Sequence, residues 1–336
     1  MSKPELSIII PLYNKVGQVT RCMSSIMAQD YTDFEVVVVD DGSTDGSADK
    51  VISEFTDNRI RLIKTSNGGV SSARNRGIKE ARGTFLLFID ADDYISPGYL
   101  SHVMSESVSH EADIYIWGLT KDHADGSKEE IKPTMRGLLH RGEFLHEMVQ
   151  EQYVRHEGLM GYIPNKLLRR EWVQRNGIMF DTRLRLLEDY DFYLSCYNFV
   201  QTVYCFDECG YHYVEQDAQA KPSPRKVDFI SLLDIHRRCM MLVKDSIDSE
   251  SDYRILLQTI GKLSLAMFLE MRPVTFSAVR HSLSAIHQRP WCAAGLLLIH
   301  PKQRRLQKSL ISNNSLSTYL YLKGRLLIFS LRRHQP

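Results

Sequence analysis

The 336-residue chain is 43% hydrophobic and 25% charged, a balance that supports a sizeable core and excludes a disordered or low-complexity protein. Its net charge of +1 excludes a general polyanion binder, so nucleic acid is not an expected partner. The charge is divided along the chain: no Asp or Glu follows Glu270, and 11 of the 42 bases lie beyond it, which leaves 31 bases against 41 acids in residues 1–270.

Only a short apolar run follows Met1-Ser2-Lys3-Pro4-Glu5, so no secretory signal is expected and a cytoplasmic location is. Leu6 to Leu12 reads as a strand in which Pro11, lacking an N–H, should end or perturb pairing. Its tip is Tyr13-Asn14-Lys15. Val16, Val19, Met23, Ile26 and Met27 recur at helical spacing. Phe34 to Val39 is a β-branched second strand, ending in Asp40-Asp41-Gly42-Ser43-Thr44-Asp45, and a helix follows to about Phe55. Ile60, Leu62 and Ile63 mark a third strand. Asn67-Gly68-Gly69 then turns the chain into a helix that Ser71 or Ser72 should cap, with Arg74 and Asn75 in its first turns.

Phe85-Leu86-Leu87-Phe88-Ile89 is an unbroken apolar run, the mark of a fully buried parallel strand, and it breaks into Asp90-Ala91-Asp92-Asp93. Alternation of strands and helices to this point predicts a parallel α/β sheet, which puts the three polar tips on one edge, where such sheets bind ligands. Three carboxylates within four residues repel one another, and a divalent cation with oxygen ligands, shared with a phosphorylated substrate, relieves that repulsion. The turn from Gly69 to Arg74 offers backbone N–H groups, a helix start and a guanidinium to a phosphate. Asp41 can accept from an imide N–H such as that of uracil. No Gly-x-Gly-x-x-Gly or Gly-x-x-x-x-Gly-Lys-Ser/Thr is present. The main rival to a nucleotide site is a phosphotransferase in which Asp90 attacks phosphorus.

Farther on, Pro97 begins a helix, Asp113 to Gly118 is a short strand, and Asp125-Gly126 suits a hairpin turn. Arg141 to Gln152 reads as helical, and Tyr162 to Leu168 as a lead into another helix. Leu184 to Asn198 carries Glu188-Asp189-Tyr190-Asp191. Cys205 to Val214 has strand character, and Cys205-x3-Cys209-x2-His212 lacks an evident fourth zinc ligand. Gln216 to Lys226 reads as a loop or lid. The rest is expected to be helical, with Leu232, Leu233, His236 and Met240 on one face. Trp291 to Ile299 falls far short of the roughly 20 apolar residues that span a bilayer. Leu316, Tyr319, Leu320, Leu327 and Leu331, with Lys323, Arg325, Arg332 and Arg333, form a basic amphipathic segment suited to an anionic membrane interface.

Residues 7–14, 39–45, 67–75 and 88–93, taken in order, resemble the signature of family 2 glycosyltransferases with the GT-A fold, and Asn165-Lys166-Leu167 and Leu187 to Phe192 resemble that family's acceptor-side motifs. The resemblance covers residues 5 to about 215. It implies a GT-A domain, a Rossmann-like and mostly parallel sheet with flanking helices, followed by a helical extension. Residues 1–118 would form the nucleotide-sugar half, 119–225 the acceptor half and 226–336 the extension.

It further implies an inverting, Mg²⁺- or Mn²⁺-dependent transferase using a nucleotide sugar and acting on a lipid-linked or growing surface glycan at the inner face of a membrane. Pro11 and Tyr13 would line the base, with Asn67 and Gly69 beside them. Asp41 would hold the uracil edge, and Arg74 would assist base or diphosphate. Asp92 would bind the metal, with Asp90 toward ribose or metal and Asp93 in support. Asp189 would be the general base, with Lys166 and Glu188 on the acceptor or supporting side. Val214 stands where the family often has a basic residue, so His212, Lys221 or Arg225 is left to close over the diphosphate. A binding module without catalysis is the remaining alternative.

Overall fold

The computed structural model describes residues 3–155, 158–184, 186–215, 228–271, 274–299 and 304–323. The chain forms two compact units, Met1–Arg225 and Lys226–Pro336.

The first unit opens with β1 (Leu6–Leu12), α1 (Val19–Met27), β2 (Phe34–Asp40), α2 (Ser47–Glu54), β3 (Ile60–Lys64), α3 (Val70–Glu80) and β4 (Phe85–Phe88). These four strands pair in parallel in the order β3-β2-β1-β4. Every residue of β2 and β4 is buried, β4 as its unbroken apolar run requires and β2 with Glu35 and Asp40 enclosed beside its valines. Pairing of β1 with β2 continues through Pro11 to Leu12 opposite Asp40, while pairing with β4 stops at Ile9 opposite Phe88. The missing N–H of Pro11 would point toward β4, as the carbonyl of Ile9 does, so it costs nothing on the β2 side. The expected disruption is thus one-sided.

Next come β5 (Tyr94–Ile95), α4 (Tyr99–Ser109), β6 (Ile114–Ile116), β7 (Leu119–Asp122), β8 (Lys128–Ile131), β9 (Gly137–His140) and α5 (Arg141–Val149). A short π-helical turn over Gln150–Arg155 continues α5. Then follow β10 (Lys166–Arg169), α6 (Arg170–Arg175), α7 (Glu188–Phe199), β11 (Thr202–Cys205) and β12 (Tyr211–Val214). The segment read as a lead into a helix is instead β10, which inserts antiparallel between β4 and β6 and turns the sheet mixed: β3-β2-β1-β4-β10-β6-β11-β9. Four residues carry too little pattern to reveal a strand whose Lys166, Leu167 and Leu168 are all buried. A second sheet, β5-β12-β7-β8, includes the hairpin turned at Asp125-Gly126.

Helix α3 packs on β1 so closely that a Cβ at Gly77 would lie 2.3 Å from Cγ2 of Ile9. Neither Ser71 nor Ser72 caps it. The N-cap is Gly69, and the side chain of Ser71 points into the protein without a hydrogen-bond partner.

The second unit is helical in its described residues: α8 (Phe229–Leu242), α9 (Ser249–Leu269), α10 (Phe276–His287), α11 (Pro290–Leu298), α12 (Arg304–Ile311) and a helix over 315–323. Leu233, His236 and Met240 are buried on one face of α8, as their spacing predicts. α9 and α11 touch backbone to backbone at Gly261 and Gly295, where any side chain would collide with the facing helix. Among the described residues no helix is long and apolar enough to cross a membrane.

Candidate active site

Register brings the ends of β1, β2 and β4 to one edge. The loop after β1 is stitched to the loop after β2. The Asn14 N–H donates to Ser43 Oγ (3.1 Å), Thr44 N–H to Asn14 Oδ1 (2.9 Å), Lys15 N–H to Ser47 Oγ (2.7 Å) and Val16 N–H to Asp45 Oδ2 (2.9 Å). Asn14 takes a left-handed φ of 51°, a conformation Asn tolerates better than most residues. Beside these loops Tyr13 keeps 47% of its surface exposed, which leaves its ring open to stack on a base, and Pro11 is half-buried.

Asp41 does more than face a ligand. Its two carboxylate oxygens accept from the N–H groups of Gly68 and Gly69, each at 2.8 Å. A fixed negative charge therefore already occupies amides at the start of α3 that the sequence suggested for phosphate, a favourable placement at a helix N-terminus. Each carboxylate oxygen retains a second lone pair, so Asp41 can still accept from an imide. Asn67, beside this clamp, is exposed.

From the next turn of α3, Arg74 donates to Asp90 Oδ1 (2.9 Å) and to Asp189 Oδ1 (2.5 Å), 115 residues away, and lies over the Phe180 ring at 5.4 Å. Burial works against its charge, yet Asp189 and Asp90 together hold its pKa above the usual arginine value. Phe180 stacks on Phe192 of α7 at 3.9 Å and meets Phe88 of β4 edge-on. Asn75 fixes it there, exchanging two hydrogen bonds with the Phe180 backbone at 2.9 and 2.8 Å. Sequence reasoning passed over Phe180 and the clamp by Asn75; Asn75 stood inside a motif, but its partner is 105 residues away.

Asp189 rides on the first turn of α7, whose N-cap Leu187 adopts a left-handed φ of 58°. Burial pushes its carboxyl up to about 7; the Arg74 guanidinium opposes this, and the charges of Glu188 and Asp90 add to it. It keeps 31% of its side-chain exposure, a route by which a hydroxyl can reach it.

The three acids after β4 have separate partners. Asp90 has Arg74. Asp92 Oδ2 accepts from Lys15 Nζ at 2.6 Å, and the Asp92 carbonyl from Arg21. Asp93 is buried and takes the Tyr211 hydroxyl and the Val214 N–H (2.9 Å), which ties β12 to the acidic tip. Burial first, then the charges of Asp90 and Asp92, push its pKa well up. Among the described residues no three His, Cys, Asp or Glu side chains group as metal ligands. Two carboxylate donors nevertheless suit a hard cation such as Mg²⁺ or Mn²⁺, which takes one or two carboxylates and completes its shell with phosphate oxygens and water.

Lys166 is fully buried and donates to the carbonyls of Leu159 and Tyr162 (both 2.8 Å) and to Asn165 Oδ1 (2.7 Å), above the Tyr193 ring. Burial pushes its pKa well down. It braces the start of β10 and presents nothing to an acceptor. His212 stacks on Tyr94 and uses both ring nitrogens, on Asp122 and Ser96, so it is not a loose cation for a diphosphate. Lys221, Arg225 and the expected lid over 216–226 lie outside the described residues. Glu188 stands beside Asp189 in the first turn of α7.

A sheet whose parallel tips gather acids and an arginine, met by a carboxylate on a helix from its mixed half, is the GT-A arrangement. The chain matches the family described as Glycosyl transferase family 2 over residues 7–177, and it belongs to that family. It is 34% identical to the Bacillus subtilis uncharacterized glycosyltransferase EpsJ, a match covering 66% of this chain and 64% of that one, so less than two thirds of the relative is spanned. Among solved structures it resembles TarS 1–349 of Staphylococcus aureus in complex with UDP-GlcNAc, with a TM-score of 0.69, 21% identity and coverage of 96% and 92%. It also resembles the mannosyltransferase PcManGT of Pyrobaculum calidifontis in complex with GDP-Man and Mn²⁺, with a TM-score of 0.50, 17% identity and coverage of 96% and 87%. At these identities both likenesses speak for the fold alone.

Proposed function

We propose that the protein is an inverting glycosyltransferase that moves a sugar from a nucleoside diphosphate donor, a UDP-sugar in our reading, to a hydroxyl of a glycan or lipid-linked acceptor in cell-surface polysaccharide synthesis. The observation that carries this is Arg74, which joins Asp90 on the donor edge to Asp189 on the opposite half. Direct displacement at an anomeric carbon needs a base on one side and stabilisation of a leaving diphosphate on the other, and one guanidinium registers the two.

In this reading Tyr13 and Pro11 bracket the base, with Asn67 and Gly69 beside it, and Asp41 accepts from the imide while holding the loop. Asp189 takes the proton of the acceptor hydroxyl. Asp92, with Asp90 beside it, would hold Mg²⁺ or Mn²⁺, which when bound supplies positive charge against the leaving diphosphate. Residues 1–118 serve the donor and 119–225 the acceptor. The basic segment ending the chain, of which residues 324–336 lie outside the described residues, is assigned to an anionic membrane surface at the cytoplasmic face.

Thermal shift against UDP-, GDP-, dTDP- and CMP-sugars with Mn²⁺ tests the reading. A ligand at a hundred times its Kd stabilises by about 2.7 kcal/mol, so one UDP-sugar should raise the melting temperature while the other classes do not. Asp92→Asn should abolish that rise. Indifference to every nucleotide sugar would overturn the proposal, and a GDP- or dTDP-sugar response would correct the donor.

A further inference from the structure

We infer that Lys15 is a built-in, exchangeable counter-ion for Asp92: it holds the carboxylate until a divalent cation arrives with the donor, then passes to the diphosphate. The inference rests on the donor-edge reading above and deepens it.

Lys15 and Asp92 are 77 residues apart in sequence, yet their charged atoms lie 2.6 Å apart. The meeting is built into the fold. Four hydrogen bonds from residues 14–16 and 44 fasten the Lys15 backbone to the loop after β2, with Asn14 held left-handed. Arg21 donates to the Asp92 carbonyl and Cys22 to that of Asp90, which fastens the other side. Two fixed backbones thus present an ammonium to a carboxylate.

Of the cation–carboxylate pairs described on this tip, Lys15–Asp92 is the one whose cation is best able to leave. Arg74 is 4% exposed, paired twice and braced by an aromatic ring. Asp93 is 2% exposed and bound to β12. Lys15 and Asp92 retain 27% and 22% of their side-chain exposure, and the lysine head sits on a flexible four-carbon stem. A cation that binds Asp92 must compete with that head. Once displaced, the head is left at the mouth of the same edge, where diphosphate oxygens are its natural partners. Metal and nucleotide should therefore assist one another, because each removes a penalty the other meets alone.

The test measures Mn²⁺ binding by the EPR signal of the free ion, and UDP binding by calorimetry with and without Mn²⁺, on wild type, Lys15→Met, Lys15→Arg and Asp92→Asn. A part-exposed ion pair is modest in strength, so Lys15→Met should bind Mn²⁺ alone about three- to tenfold more tightly. Its UDP affinity in the presence of Mn²⁺ should fall several-fold, and Lys15→Arg should stay near wild type in both. A Lys15→Met affinity for Mn²⁺ within twofold of wild type, or weaker, would overturn the inference. Wild type that binds UDP with Mn²⁺ and loses this in Asp92→Asn would leave the donor-edge reading standing in that event. Wild type that binds neither would remove both.

Discussion

A carboxylate works as a general base only when it is ionised at the working pH yet basic enough to take a proton. For Asp189 burial and the flanking acids push upward, Arg74 pulls downward, and the balance lies at about 7. Turnover should accordingly fall as pH drops through 7, because the protonated carboxyl cannot accept the hydroxyl proton. Arg74→Met removes the pull, so the ascending limb of the kcat profile should move to higher pH; an unmoved or more acidic limb would show that Arg74 does not tune the base. Asp189→Asn should cost about 10²- to 10⁴-fold in kcat, with donor affinity in calorimetry kept. Near-normal turnover in that variant would remove Asp189 from the role. At this scale the sequence exposed the acids through their clustering, whereas Lys15 and Phe180 stayed hidden because nothing local distinguishes a lysine whose carboxylate lies 77 residues away or a phenylalanine held by an asparagine 105 residues away.

The elements that aim these side chains do so through close packing. α3 must lie almost on β1 for Arg74 to reach between Asp90 and Asp189, and Gly77 is what permits the approach. Gly77→Ala gains up to about 1 kcal/mol of helix propensity but forces a methyl into Ile9, and overpacking of that kind costs about 1–3 kcal/mol. A net loss is expected in the chemical-denaturation midpoint, with a fall in kcat as Arg74 is displaced; a stabilised variant would mean that the helix can shift freely. The strands β1 to β3 were legible because each carries β-branched or aliphatic residues and leads into a helix, and β4 because Phe85 to Ile89 is an unbroken apolar run that stops at an acidic cluster. β10 was not, since a buried four-residue strand bounded by Asn165 and Arg170 shows no alternation, and its neighbours, β4 and β6, are distant in sequence. Helix caps misled for a related reason: the amides before α3 are taken by Asp41 from the loop after β2, which leaves Ser71 unused.

Over the whole chain, charge is divided more sharply than the total of +1 suggests, with only bases after residue 270. Leu316 and Leu320 are each 59% exposed, while Tyr319 packs on Phe276. A basic residue near an anionic membrane contributes about 1 kcal/mol, so under the membrane assignment proposed above Lys323, Arg325, Arg332 and Arg333 would together give a salt-sensitive attachment. Full-length protein should sediment with vesicles containing phosphatidylglycerol, less so at high ionic strength, and deletion of residues 301–336 should release it. Undiminished sedimentation of the truncated chain would refute the assignment of the tail.

Sequence by itself determined the α/β half-sheet, its edge of polar tips and the family, because all three rest on local pattern: apolar runs, turn residues and motif order along contiguous segments. Only the tertiary structure decided which acid faces which cation, that Asp41 clamps a loop, that Lys166 is a brace and His212 is engaged, and that β10 sits at the centre of the sheet. Those outcomes depend on distances between residues far apart in the chain, and burial, which sets both the pKa of Asp189 and the cost of leaving a charge unpaired, exists only once the chain has closed around them.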